Sequence, residues 1–196
     1  VLEEHLLSKE AAKKAIAIGR KYDTLLEVYF DGQGYAQKDE IAQVRKYHKN
    51  PNMWDYFLRT RIAVDSLEDL LDEKEGNLDK VQMLFADMEE REEAWKELER
   101  EGVFELVGSL QYNIEINAVG VNKGTGLVNL GKMLGIRREE IMACGDGDND
   151  IAMLKEVGFG VAMANAEEKV KAVADYITES NNDEGVAKAI EKFVLK

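Results

Sequence analysis

An apolar stretch, Ile141-Met142-Ala143-Cys144, runs directly into Gly145-Asp146-Gly147-Asp148-Asn149-Asp150 and then into a helical pattern. Few features constrain a chain more. Carboxylates crowded at the end of a buried strand repel one another unless a cation or basic group offsets them. In open α/β sheets such ends are where ligands bind. The oxygen-rich set suits a hard cation such as Mg2+, and the glycines let the backbone turn sharply. An EF-hand also opens on Asp-x-Asp-x-Asp. With Asp146 as its first position, the sixth would be Ile151 instead of glycine and the twelfth Val157 instead of glutamate, so that reading fails. Zinc is disfavoured, since only His5, His48 and Cys144 could supply soft or borderline ligands and they are scattered. The plain alternative is an Asp/Gly turn that caps the next helix.

Around this loop the pattern is that of short strands alternating with helices. Lys123–Leu134 reads as a helix with Leu127, Leu130 and Leu134 on one side, and Glu140–Cys144 as a strand. Ile151–Val157, Glu167–Val173 and Glu184–Val194 read as helices, with strands at Phe159–Met163 and Tyr176–Thr178. That alternation argues for a parallel sheet. Lys123 stands at a helix start, where a point charge can meet a phosphate oxygen.

Residues before about 118 have a different texture. Ser8 caps a helix packed through Ala11, Ala12, Ala15, Ile16 and Gly19. Thr24–Phe30 and Gln33–Gln37 form a hairpin around Asp31-Gly32. Helices follow at Asp39–Lys49, Asn52–Arg59 and residues 66–72, then a strand at Leu78–Phe85. Glu89–Glu101 is a charged helix with Ala94, Trp95 and Leu98 as its apolar stripe. Val103–Val107 and Tyr112–Asn117 are further strands. Tyr35, Trp54 and Tyr112 are either ligand contacts or, as aromatics of a small domain usually are, core.

Composition excludes several classes of function. The net charge of -13, most of it before residue 119, disfavours nucleic acid and anionic membranes as partners. No apolar run reaches the roughly 20 residues of a membrane span, and no basic stretch leads into an apolar one as in a secretory signal. The single cysteine, Cys144, cannot form a disulfide within the chain and fits a reducing, cytoplasmic setting.

The segments Asn122-Lys123-Gly124-Thr125-Gly126-Leu127, Gly145 to Leu154, Gly160-Val161-Ala162-Met163-Ala164-Asn165-Ala166 and Asp183-Glu184-Gly185-Val186-Ala187 resemble the haloacid dehalogenase superfamily, and most closely its Cof-type phosphatases. The resemblance implies an α/β fold. Residues 1–117 would be an α/β cap (substrate-specificity) domain, and residues 118–196 the C-terminal half of a doubly wound parallel sheet. It implies Mg2+ as cofactor, held by Asp146, with Asp150 as the second acid that supports the metal shell or orients the lysine. Lys123, Asp146 and Asp150 are the implied catalytic residues, with Lys123 and Asn149 binding substrate. Asp148 falls at a variable position. The implied reaction is hydrolysis of small phosphate monoesters, such as sugar or cofactor phosphates, through an aspartyl-phosphate. A phosphomutase and a non-catalytic binding module of the same fold are the alternatives.

One departure stands out. The family's nucleophile motif, Asp-x-Asp-Gly, occurs nowhere in these 196 residues, and the Ser/Thr of its second motif is missing as well. The resemblance therefore predicts a longer protein, with about 80–90 residues ahead of these by typical domain size. The fragment itself is expected to be inactive and to self-associate through an exposed sheet edge.

Overall fold

The computed structural model describes residues 3–195 and resolves the chain into two compact units, Val1–Val119 and Gly120–Lys196. The first is built on a six-stranded sheet. Its strands are β1 (Thr24–Phe30), β2 (Gln33–Gln37), β3 (Ile62–Val64), β4 (Lys80–Phe85), β5 (Glu105–Val107) and β6 (Asn113–Asn117), in the order β3-β2-β1-β4-β6-β5. All neighbours are antiparallel except β2 and β3. The β1–β2 turn has φ of 51° at Asp31 and 75° at Gly32. Two consecutive left-handed residues are what a tight hairpin turn of matching twist demands.

Alternation along the strands sorts the sheet into two faces. Leu26, Val28, Val81, Met83, Ile114 and Ile116 meet α1 (Lys9–Gly19), α5 (Leu67–Glu73) and α6 (Met88–Glu101) in the larger core. As expected, Ala12, Ala15 and Ile16 are the buried side of α1, and Ser8 accepts a hydrogen bond from Ala11 N at 3.2 Å. On the other face, Leu25 and Leu84 pack with α3 (Val44–Tyr47) and with Phe57 of α4 (Trp54–Thr60). Tyr112 joins this second cluster and Tyr35 packs against the first, so both aromatics serve the core.

Several elements of this unit differ from the sequence reading. The helix expected over Asp39–Lys49 is broken at Gln43 into α2 (Lys38–Ala42) and α3. The strand expected from Leu78 starts at Lys80, and Leu78 instead makes an isolated antiparallel bridge to Leu7.

A charge is buried in this unit. Glu27 of β1 is fully enclosed and is paired with the Arg61 guanidinium. Tyr29 Oη donates to Glu27 Oε1 at 3.1 Å and accepts from Arg61 Nη2 at 2.6 Å. Arg61 also lies 4.9 Å from the centre of the Phe57 ring. Burial pushes the Glu27 carboxyl up from its ordinary range, against the opposing pull of Arg61.

The second unit is smaller. It has a three-stranded parallel sheet of β7 (Met142–Gly145), β8 (Phe159–Ala162) and β9 (Tyr176–Ile177), in sequential order. Helices α7 (Lys123–Met133), α8 (Ile151–Glu156), α9 (Glu168–Lys171) and α10 (Gly185–Phe193) precede, connect and follow the strands. The chain is thus α/β, as expected. The apolar stripe of α7 is not covered, however: Leu130 and Leu134 are both exposed. Among the described residues no strand pairs with the outer edge of β7, and no helix is long and apolar enough to cross a membrane.

Candidate active site

The carboxyl end of β7 carries the acidic loop, and Asp150 organises it. Its Oδ2 accepts from the backbone N–H of Asp146 at 2.9 Å and of Gly147 at 3.0 Å. Its Oδ1 accepts from Lys123 Nζ at 2.6 Å. Folding this side chain beneath the strand end requires a residue without Cβ at 145. A Cβ on Gly145 would lie 2.4 Å from that of Asp150. Burial alone would raise the Asp150 pKa, but the Lys123 contact and the two loop amides outweigh it and hold the carboxyl below its ordinary range. Carboxylates that accept several donors behave in this way.

Lys123 opens α7. Asn122 caps that helix, its Oδ1 accepting from Gly124 N at 2.9 Å and Thr125 N at 3.0 Å. The cap fixes where the lysine starts, while half of the Lys123 side chain stays in solvent.

The other loop residues have different surroundings. Asp146 is exposed, and its Oδ2 accepts from Asn165 Nδ2 at 3.0 Å. Asp148 forms an ion pair with Lys169 at 2.6 Å. Asn149 is half-buried. Cys144, just before the loop, has its thiol pKa raised by burial. The structure therefore brings Lys123 and Asp150 into contact and keeps Asp146 beside them through the shared loop amide. Asn165 and Lys169 were not singled out as site residues from the sequence. Both lie beyond β8, and only the fold brings them to the end of β7.

The donor set can be tested against a metal. Among the described residues no three His, Cys, Asp or Glu side chains converge on one point. Asp150 already spends both oxygens on Lys123 and the loop amides, which leaves Asp146 as the open carboxylate. A single carboxylate is a poor site for zinc or calcium. It does fit Mg2+, which commonly keeps several waters and takes one or two carboxylates together with substrate phosphates.

The model of the haloacid dehalogenase-like hydrolase family matches residues 1–190. Over 105 residues the chain is 50% identical to the 5-amino-6-(5-phospho-D-ribitylamino)uracil phosphatase YcsE of Bacillus subtilis strain 168, covering 54% of this chain and 42% of that protein. Over 106 residues it is 43% identical to the phosphoglycolate phosphatase of Methanobrevibacter smithii, covering 54% of this chain and 45% of that protein. The chain thus spans less than half the length of these curated relatives. A solved haloacid dehalogenase-like hydrolase from B. subtilis superposes with a TM-score of 0.80 at 26% identity, over 96% of this chain and 72% of that one.

Proposed function

The chain belongs to the haloacid dehalogenase-like hydrolase family, and from that premise we propose that it is the phosphate-handling part of a phosphatase for small phosphate monoesters. The observation that carries this reading is the Lys123 ammonium, fixed 2.6 Å from a buried aspartate beside an acidic loop at the end of a parallel strand. Asn122 already occupies the Gly124 and Thr125 amides at the start of α7. The lysine is therefore the group left to meet an anion. Asp150 orients it, Asp146 serves the cofactor, and Asn149 contacts the phosphate. Mg2+ held by Asp146 would offset the negative charge on the transferring phosphoryl group.

The attacking carboxylate is not among these residues, because no Asp-x-Asp-Gly segment occurs in them. The chain alone should therefore show negligible turnover of an aryl phosphate with Mg2+. The first unit is read as the cap that selects the substrate. Support for a small ester comes from the names of the two relatives, both phosphatases of small metabolites. The net charge of -13 disfavours polyanions in addition. The expected partner is a small phosphorylated metabolite in the cytoplasm, with neither nucleic acid nor membrane involved.

The test is a panel of phosphorylated metabolites against the product of the full open reading frame, with and without Mg2+. Metal-dependent turnover of small esters is expected. A phosphoprotein dephosphorylated faster than every small ester would overturn the reading.

A further inference from the structure

We infer that Asn165 is a positioning residue that aims the Asp146 carboxylate at its cation, an inference that rests on the metal reading given above. Asn165 lies on the turn after β8. That turn is fixed on both sides: Met163 N donates to Gly145 O at 3.0 Å, and Ala164 N donates to Glu179 O at 3.3 Å. The Asn165 side chain spans the same gap. Its Oδ1 accepts from the backbone N–H of Asn181 at 2.9 Å, and its Nδ2 donates to Asp146 Oδ2 at 3.0 Å. One amide thus joins the segments that follow β7, β8 and β9.

The polarity of this bridge follows from chemistry. A backbone N–H can only donate, so the atom of Asn165 facing Asn181 must be the oxygen, and the NH2 group is left facing Asp146. Nothing else holds that carboxylate among the described residues. Its Oδ1 makes no hydrogen bond there, while Asp148 has Lys169 and Asp150 has Lys123. An exposed aspartate otherwise samples several rotamers, and binding a cation would have to select one. The Asn165 amide makes that selection in advance. It occupies Oδ2 and leaves Oδ1 as the available ligand atom.

Groups that orient a metal ligand typically change metal affinity by about 10–100-fold. Asn165 is exposed, so the effect should sit near the low end, about tenfold. The probe is Mn2+ in place of Mg2+, read by water-proton relaxation on the 196-residue chain, which detects binding into the millimolar range. Asn165→Ala should raise the Mn2+ Kd about tenfold. An Asp146→Ala chain should bind no Mn2+ whether or not Asn165 is also changed, since its open carboxylate is gone. A purely structural tie would lower Tm and the amide protection of β7 and β8 in step with the rise in Kd, and that result would overturn the inference. So would an Asn165→Ala Kd within about twofold of the unmutated chain while Asp146→Ala abolishes binding. If Asp146→Ala leaves Mn2+ binding intact, or the unmutated chain binds none, the metal reading fails and this inference fails with it. Asn165→Ser replaces Asn165→Ala should the latter lose its cooperative melt. Unfolding of both would identify Asn165 as a structural tie and overturn the positioning role.

Discussion

The two units bury different things. The largest fully buried side chains among the described residues, including Phe57, Phe85, Met83 and Leu98, all lie in the first. The second unit's core cluster is Leu154, Ala162, Ala166 and Val170, three of them small, while Met133, Leu134, Ile177 and Val194 are exposed. Yet the second unit carries the Lys123–Asp150 pair, the acidic loop and the Asn165 bridge. Apolar burial scales with area, so the first unit is stabilised mainly by packing. The second depends more on hydrogen bonds that fix a few polar atoms. Stability and chemistry are thus separated along the chain, and changes to one should leave the other largely alone.

The largest expected effect tests that separation in the second unit. Lys123→Ala or Asp146→Ala, in the full-length product, should lower kcat by about 10²–10³-fold, the usual loss on removing a group that stabilises transition-state charge. Steady-state kinetics beside a thermal melt would check it. A Tm that fell in step with kcat would break the comparison. Next comes Leu98→Ala in the first unit. It should cost about 2–5 kcal/mol in urea unfolding, as large-to-small changes in packed cores do. Leu154→Ala should fall at the low end of that range, because the thin core around it can collapse more easily.

A smaller and sharper contrast uses the same lesion twice. Ser8→Ala and Asn122→Ala each remove a helix cap and should each cost about 1 kcal/mol. Only the second should lower activity, because Lys123 follows Asn122 directly. Equal activity in both variants would show that the cap does not place the lysine.

The smallest effect is a pH dependence. The folded-state pKa of Asp150 is depressed, so its contribution to stability is present above the unfolded-state value. That contribution is lost as pH falls through the folded value, below the ordinary carboxylate range. Asp150→Asn should flatten this acid limb for the second unit. An acid limb of unchanged steepness, followed by amide exchange in β7 and β8, would count against the account.

Much of the fold was legible because its signals are local. Thr24–Phe30, Asp31-Gly32 and Gln33–Gln37 follow from alternation and turn chemistry, and the structure reproduces them. Strand β3 was not foreseen. Its residues Ile62 and Ala63 are exposed, so no alternation marks them, and their strand character comes from pairing with β2. Gln43 breaks a helix without glycine or proline, and again no local signal announces it. In the second unit, the family pattern pointed to Lys123 and the acidic loop. That pattern also assigned roles within the loop, but the contacts that distinguish its aspartates were hidden. Whether an aspartate faces a lysine, an amide or open solvent depends on partners such as Asn165, which only the folded sheet brings near.

The Glu27–Arg61 pair has a consequence for alignment. A buried ion pair contributes little net stability compared with apolar residues of similar size, and one oxygen of Glu27 has no hydrogen-bond partner among the described residues. Its value lies in what it forbids. Glu27 stands opposite Gln82 of β4 and Ala36 of β2, on the face away from Leu26 and Val28. Sliding β1 by one residue would turn every side chain of the strand over. The carboxylate would then enter the apolar layer formed by Val81, Met83 and Ile114, out of reach of its guanidinium. The pair therefore acts as a checksum on strand pairing, rejecting misaligned sheets that hydrophobic content alone would tolerate.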